Sequence, residues 1–347
     1  MAGMEALRLD YRTAAKEIGK GNISPVYVCY GTEAYLMQEF ITYLTNQWIE
    51  PADRDFAISK FDLAETNVEL AIEDAQTPPF VGSRKLIIAK DAVFFTGAKD
   101  AGKIEHRIDR LAEYLKSPAD FSVLVFTVNA EKLDERKKLV KSVVERKGNI
   151  PFQAMTADDL THWVRRQADK QGIQFEDGAD QTLIQNCNGN LQAIANELGK
   201  LSLYAGAGQL VTRDAVEQLV ARSTEQNVFL MIEELIKLRL DKALDIYYEL
   251  LKHKEEPIKI VALMARQFRN MLLIKQLSSQ GASQQQIASQ LSLHPYAVKL
   301  TAEQTKRYET EKLKQAVARL AEIDYQMKTG QLDKVLALEL FMLRLAG

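Results

Sequence analysis

The turn that follows the first apolar strand is where an α/β nucleotide-binding domain places its phosphate loop. In this chain the strand-like run VYVCYG at 26–31 leads into Gly31, Thr32, Glu33, Ala34, Tyr35 and Leu36. A phosphate loop needs glycines that free the backbone, a lysine for the phosphates and a hydroxyl for magnesium. Glu33 supplies a carboxylate instead, which repels phosphate, and Tyr35 supplies a bulky ring. The sequence therefore predicts that this turn binds no nucleotide.

A second stretch has the spacing of a phosphate loop but lacks one of its ligands. Residues 97–103 match G-x-x-x-x-G-K, yet the next residue is Ile104, which has no hydroxyl for magnesium. The stretch also does not follow the first strand. We interpret it as a loop that leads into a helix. A degenerate nucleotide hydrolase that uses Lys103 and Asp91 stays open as an alternative function.

Metal and acid–base chemistry lack their usual residues. The four histidines are far apart, and no pair has metal-ligand spacing; they are His106, His162, His253 and His294. Cys29 lies in a strand-like run and Cys187 near a helix end, which is typical of reduced structural thiols. We expect no metal, no cofactor and no catalytic residue in this chain.

Residues 76–84 form an unusual segment, with the sequence Gln76, Thr77, Pro78, Pro79, Phe80, Val81, Gly82, Ser83 and Arg84. Two prolines stiffen the backbone just before a large apolar pair, and a glycine then breaks the structure. The segment fits a protruding hydrophobic finger. It fits equally well a loop whose Phe80 returns to the core. The residue types alone leave both readings open.

The elements that must position these residues alternate along the first half of the chain. Strand-like runs lie at 26–31, 56–62, 85–95 and 121–128, and helical patterns lie at 33–48, 67–76, 103–116 and 133–146. Such alternation predicts an α/β domain with a parallel sheet. From about residue 157 the pattern is helical, and we predict no strand there.

The chain is long enough for several domains, since 347 residues exceed what one hydrophobic core usually organises. A polar stretch at 222–227 divides the helical part. We predict three domains: residues 1–154 with the α/β fold, residues 155–222 as a small helical domain, and residues 223–347 as an all-α domain.

Composition and charge exclude some partners. The net charge is only −2 and no long basic block occurs, which argues against a continuous phosphate-binding surface. No run of about 18 apolar residues offers a membrane span, and the amino terminus lacks the apolar region of a secretory signal. We expect a cytoplasmic protein without a membrane partner.

Several segments along the chain form a pattern that can be compared with known families. In the first two domains these are PVYVCYGTEAYLMQE at 25–39, QTPPFVGSRKLIIAKD at 76–91, LDERKKLVK at 133–141 and GNLQAIANELGKL at 189–201. In the last domain they are PIKIVALMARQFRNMLLIKQL at 257–277, LHPYAVKLTAEQTKRY at 293–308 and DYQMKTGQLD at 324–333. Together these segments resemble the bacterial delta-subunit family of the DNA polymerase III clamp loader, which is AAA+-like. The resemblance spans nearly the whole chain, and the order and spacing of the segments make it specific.

The resemblance implies a degenerate AAA+-type P-loop domain, a helical lid at 155–222 and a helical collar at 223–347 that serves oligomerisation. It implies a non-catalytic subunit of a DNA-directed DNA polymerase that does not hydrolyse ATP. Its implied partners are the beta sliding clamp, the motor subunits tau/gamma, delta prime, and primed DNA within the assembled complex.

The family inserts apolar side chains of its first domain into the clamp. Aligned on Ser83 and Arg84, these are Phe80 and Val81, flanked by Pro79 and Gln76. Lys328 and Thr329 are the implied candidates for DNA contact. The resemblance thus favours the finger over the core reading. A degenerate nucleotide-binding hydrolase and a helical adaptor of another complex stay as alternatives.

Overall fold

The computed structural model describes residues 10–98, 104–206, 208–306 and 308–346. The chain divides into two compact units, Met1–Ala154 and Met155–Gly347. The three-domain division expected from the sequence stays a prediction.

The first unit is built around a five-stranded sheet. Its strands are β1 (Val26–Gly31), β2 (Ile58–Asp62), β3 (Lys85–Lys90), β4 (Ser122–Val128) and β5 (Asn149–Phe152). They are all parallel and lie in the order β2-β3-β4-β1-β5. The three central strands are almost wholly buried, as expected of a parallel sheet whose two faces are both covered.

Helices connect these strands. They are α1 (Tyr11–Gly19), α2 (Ala34–Trp48), α3 (Arg54–Ala57), α4 (Val68–Gln76), α5 (Ile108–Tyr114) and α6 (Lys138–Glu145). The apolar side of α4 packs into the core cluster of the sheet through Val68, Ala71 and Ile72. The side chain of Asn67 accepts a hydrogen bond from the Leu70 amide, which fixes where α4 begins.

The predicted elements of this unit exist, but several bounds were wrong. Strand β2 begins two residues late because residues 54–57 form α3. Strand β3 ends at Lys90 because Asp91 adopts a left-handed backbone conformation with φ of 58°. Helix α6 begins at Lys138 rather than 133, since Asp134 accepts a hydrogen bond from the Arg136 amide and holds a turn there.

The second unit is largely helical. Its helices are α7 (Ala157–Lys170), α8 (Ala179–Asn186), α9 (Leu191–Ala205), α10 (Arg213–Leu219), α11 (Thr224–Ile236), α12 (Leu240–Lys252), α13 (Pro257–Ser279), α14 (Gln284–Leu291), α15 (Pro295–Thr305), α16 (Thr310–Lys328) and α17 (Lys334–Ala346). Phe268 of α13 and Tyr247 of α12 lie in the core cluster of residues 228–342. Among the described residues, every helix is too short or too polar to cross a membrane.

The prediction that no strand follows residue 157 was wrong. Strands β6 (Gln174–Phe175) and β7 (Leu210–Val211) pair in parallel. Two residues are too few to produce an alternating pattern, so periodicity does not detect them. The fold class itself is confirmed: a parallel α/β domain is followed along the chain by helices.

Candidate functional site

The turn after β1 is short and lies against β5. Strand β1 ends at Gly31 and α2 begins at Ala34, and the Glu33 amide donates a hydrogen bond of 3.0 Å to the Phe152 carbonyl. Burial raises the pKa of the half-buried Glu33 carboxyl. A backbone amide that a phosphate would use is therefore already bound, and a carboxyl group stands beside it.

The alternative nucleotide site receives little support. Lys103 lies outside the described residues, and Asp91 is an exposed residue in a turn. In the described ranges no cluster of three or more His, Cys, Asp or Glu residues could hold a metal ion. The described turn after β1 presents no recognisable set of phosphate and magnesium ligands.

We expect the full-length chain to show no magnesium-dependent binding of ATP in titration calorimetry. The reason is the closed turn at Gly31 and the carboxyl group of Glu33, which replace the amides and the lysine of a phosphate loop. Micromolar ATP binding that disappears in Lys103→Ala would contradict this expectation and favour the stretch at 97–103.

Both thiols are unsuited to chemistry. Cys29 is buried in β1, and burial raises the pKa of its thiol far above the ordinary value. Burial also raises the pKa of the half-buried Cys187 to about 12. A thiol with a raised pKa is seldom a thiolate at neutral pH, so neither residue has the character of a nucleophile.

The segment between α4 and β3 carries the most exposed large apolar side chain of the described residues. Phe80 is 96% exposed. Gln76, the last residue of α4, is exposed, while Pro79 and Val81 are half-buried. We call residues 77–84 the Phe80 loop. The reading in which Phe80 returns to the core of its own unit is therefore wrong.

Both ends of the Phe80 loop are held by the unit beneath it. At its start, the Thr77 hydroxyl donates a hydrogen bond of 2.7 Å to the Glu73 carbonyl in the last turn of α4. At its end, the Arg84 guanidinium lies over the Trp48 ring, 4.4 Å from the centroid. These contacts leave the middle of the loop, with Phe80, facing solvent.

A glycine next to the tip allows close packing. Gly82 has φ of 73°, and a Cβ atom there would clash with the carboxylate of Asp53. The carboxylate therefore lies directly against the backbone of the loop. Such packing limits the number of conformations that the tip can adopt.

The predicted DNA contacts lie at the end of α16 in the second unit. The Lys328 ammonium lies 2.7 Å from the Asp324 carboxylate, and the Thr329 hydroxyl donates 2.9 Å to the Tyr325 carbonyl. Both residues are exposed, and Tyr325 beside them is 62% exposed. A cation and an aromatic ring are thus accessible at one helix end, but the cation is already paired.

One buried residue at the base of the Phe80 loop was not predicted from the sequence. Lys85, the first residue of β3, is only 6% exposed. In the sequence it looks like an ordinary surface lysine next to Arg84, since nothing in the local pattern indicates burial. Only the position of Asp74, eleven residues earlier in the last turn of α4, offers a signal.

Together the fold and the site define a class of protein: a parallel α/β domain with a closed first turn and an exposed apolar loop, followed by a helical unit. The family "DNA polymerase III, delta subunit" matches residues 27–149, and "DNA polymerase III delta subunit, C-terminal domain" matches residues 225–345. The chain belongs to the DNA polymerase III delta-subunit family.

Comparison with individual relatives supports the same family assignment. The chain is 41% identical over 330 residues to the DNA polymerase III subunit delta of Bacillus subtilis (strain 168). The aligned region covers 95% of this chain and 95% of that one. It is 27% identical over 163 residues to the subunit delta of Escherichia coli (strain K12), covering 47% of this chain and 46% of that one. The solved structure of the Bacillus subtilis DNA clamp loader delta protein has a TM-score of 0.81 at 40% identity and covers 97% of this chain and 99% of its own.

Proposed function

We propose that this chain is the clamp-loader subunit that binds and opens the beta sliding clamp for loading onto primed DNA, without hydrolysing ATP itself. The observation that carries the proposal is the exposure of Phe80, which is 96% accessible on a loop whose two ends are held. A large, fully exposed apolar side chain on such a loop is suited to anchoring a partner, because binding would remove its surface from water. The clamp is the partner that family membership suggests.

A few apolar side chains are enough for specific binding. Buried aromatic anchors supply most of the affinity of many interfaces, and surrounding contacts exclude water. Phe80 would enter a preformed pocket of the clamp, Val81 would cover its rim, and Pro79 and Gln76 would form the adjoining contacts. The two prolines before Phe80 restrict the unbound loop, which lowers the entropy lost on binding.

Opening the ring needs no chemistry in this chain. A ligand shifts a conformational equilibrium by the difference between its affinities for the two states. If the Phe80 loop binds an open clamp more tightly than a closed one, binding alone favours opening. ATP would act at the motor subunits, so the energy source and the clamp-binding loop lie on different chains.

The carboxyl-terminal helices would bind tau/gamma and delta prime. Leu336, Leu340 and Leu343 are 46%, 37% and 49% exposed, and their spacing places them on one face of α17. The opposite face of α17 packs into its own unit through Leu338, Phe341 and Met342. A helix that is apolar on both faces favours burial of the outer face against another subunit.

We expect Leu336→Asp with Leu343→Asp to weaken association with tau/gamma and delta prime at least tenfold in gel filtration. Each change places a charge in an apolar contact, whereas both side chains are accessible in the isolated chain, so its melting temperature should change little. The matched control is Leu203→Asp in α9, which is 87% exposed and lies outside α17. Normal association of the double variant would contradict this assignment.

DNA contact would be local and would occur within the assembled complex. Lys328 and Thr329 are the proposed residues, with Lys328 exchanging its Asp324 partner for a phosphate. The near-neutral charge of the chain agrees with weak binding by the chain alone. A protein that acts on primed DNA works in the bacterial cytoplasm, which is the location we propose.

Capture of the chain by immobilised clamp tests the proposal directly. Only the clamp-opening function requires binding through the Phe80 loop. A degenerate hydrolase or a helical adaptor of another complex would leave the clamp unbound.

A further inference from the structure

Lys85 is a charged residue in an unusual position. Its side chain is only 8% exposed, although lysine is rarely buried without partners. It begins β3, at the point where the Phe80 loop returns to the sheet. Its burial therefore brings a positive charge beneath the base of that loop.

The ammonium group of Lys85 contacts the opposite end of the loop. It donates 2.6 Å to the Asp74 carboxylate, 2.8 Å to the Asp74 carbonyl and 3.3 Å to the Thr77 carbonyl. A lysine ammonium has three protons, so these acceptors use its full donor capacity. Asp74 lies in the last turn of α4 and Thr77 is the first residue of the loop. One side chain thus joins the start of the loop to its end.

The backbone of Lys85 is fixed as well. The Trp48 indole donates a hydrogen bond of 2.8 Å to the Lys85 carbonyl, and the Lys85 amide donates 2.7 Å to the Phe121 carbonyl. The Lys85 side chain therefore extends from a rigid point on the sheet. Its ammonium group therefore links this point on the sheet to the start of the loop at Thr77.

Stability alone does not explain a buried ion pair. Removing two charges from water costs much of what their attraction returns, and an apolar pair of similar size often gives equal stability. The Lys85 ammonium uses all three of its protons on defined acceptors, although the second oxygen of the Asp74 carboxylate makes no hydrogen bond, and an apolar pair would not impose such a geometry. The ion pair is suited to holding a loop in one conformation.

We infer that Lys85, together with Asp74, is a positioning residue that presents Phe80 to its partner, an inference that rests on the proposed function. The ion pair holds the two ends of the Phe80 loop at a fixed separation. Phe80 then faces solvent before binding, and little conformational entropy is lost when the clamp binds. Lys85 itself touches no partner, since it is buried beneath the loop.

The test replaces both charges in the full-length chain, with Lys85→Met and Asp74→Leu together. We expect clamp binding to weaken about tenfold in titration calorimetry, while the chain stays folded by circular dichroism. Lys137→Met is the matched control, because Lys137 also donates to two backbone carbonyls in the same unit, those of Phe94 and Thr96, away from the loop. It should leave clamp binding unchanged.

A double-mutant cycle separates positioning from a general loss of structure. If Lys85 acts through Phe80, the paired substitution should cost less than twofold in a Phe80→Ala background, where the anchor has been removed. A spin label at Ser83→Cys, with Cys187→Ser in the background, reports the motion of the loop and should become more mobile in the paired variant. A folded paired variant with normal affinity, or an equal loss in both Phe80 backgrounds, would overturn the inference.

The same measurements distinguish a failure of the proposed clamp binding from a failure of the positioning role of Lys85. If Phe80→Ala leaves clamp binding unchanged, the binding site has been placed wrongly, and label mobility then decides the role of Lys85. An immobile label in the paired variant would overturn the positioning role. A mobile label would support the positioning role of Lys85, and the Phe80 loop would then bind a partner other than the clamp. If the paired variant does not fold, Asp74→Asn, which keeps the shape and an oxygen acceptor for Lys85, replaces it in the same cycle.

Discussion

Replacing Phe80 and Val81 together by alanine is expected to weaken clamp binding by roughly 2 to 4 kcal/mol, which is about 30- to 700-fold in affinity. Truncating an aromatic anchor removes its contacts in a desolvated pocket of the partner. Because Phe80 is 96% exposed in the isolated chain, its loss leaves no cavity in the core. The free energy of unfolding should therefore change by less than about 1 kcal/mol, mostly through the half-buried Val81.

Clamp affinity and melting temperature must be measured on the same sample. The control is Phe56→Ala, because Phe56 is a phenylalanine of the same unit that is 66% exposed but lies in α3. It should bind the clamp normally. Normal affinity of the Phe80 and Val81 variant would disprove the location of the binding site. A marked fall in its melting temperature would indicate that the half-buried Val81 contributes more to stability than expected.

The positions of the strands could be predicted from the sequence where the strands are central in the sheet and apolar. Strands β1 and β4 are buried on both faces and read as continuous apolar runs. Strand β5 was missed because Asn149 and Pro151 argue against a strand. Among the described residues it pairs with β1 alone, so it lies at the edge of the sheet, where a proline is tolerated.

The candidate site could be located from the sequence, but its geometry could not. Two prolines and Gly82 predict a turn, and such a turn can direct Phe80 either outward or inward. The exposed conformation depends on Lys85, Trp48 and Asp53, which lie far apart in sequence or carry no local signal. The expected loss of the phosphate loop stays a prediction from residue types alone, because Glu33 and Tyr35 stand where its chemistry needs glycines and a lysine.

Gly31→Ala is expected to destabilise the first unit by roughly 3 to 5 kcal/mol, through backbone strain and overpacking together. Gly31 has φ of 142°, a region that is essentially restricted to glycine. A Cβ atom there would also clash with the carbonyl group of Phe152. That carbonyl belongs to β5 and accepts the Glu33 amide, so it cannot move without breaking the edge of the sheet.

Urea unfolding followed by circular dichroism measures this effect. Gly21→Ala is the matched control, because Gly21 also has a positive φ, of 86°, but nothing lies within 4 Å of a Cβ built there. Strain alone should cost the control about 1 to 2 kcal/mol. An equal fall in the free energy of unfolding of the two variants would show that β5 leaves room for a Cβ atom at residue 31. A larger loss at Gly31 reports the clash with the Phe152 carbonyl together with the more restricted φ at that position. Restoring a lysine and a hydroxyl to the turn would then not restore phosphate binding, since the backbone itself has closed the site.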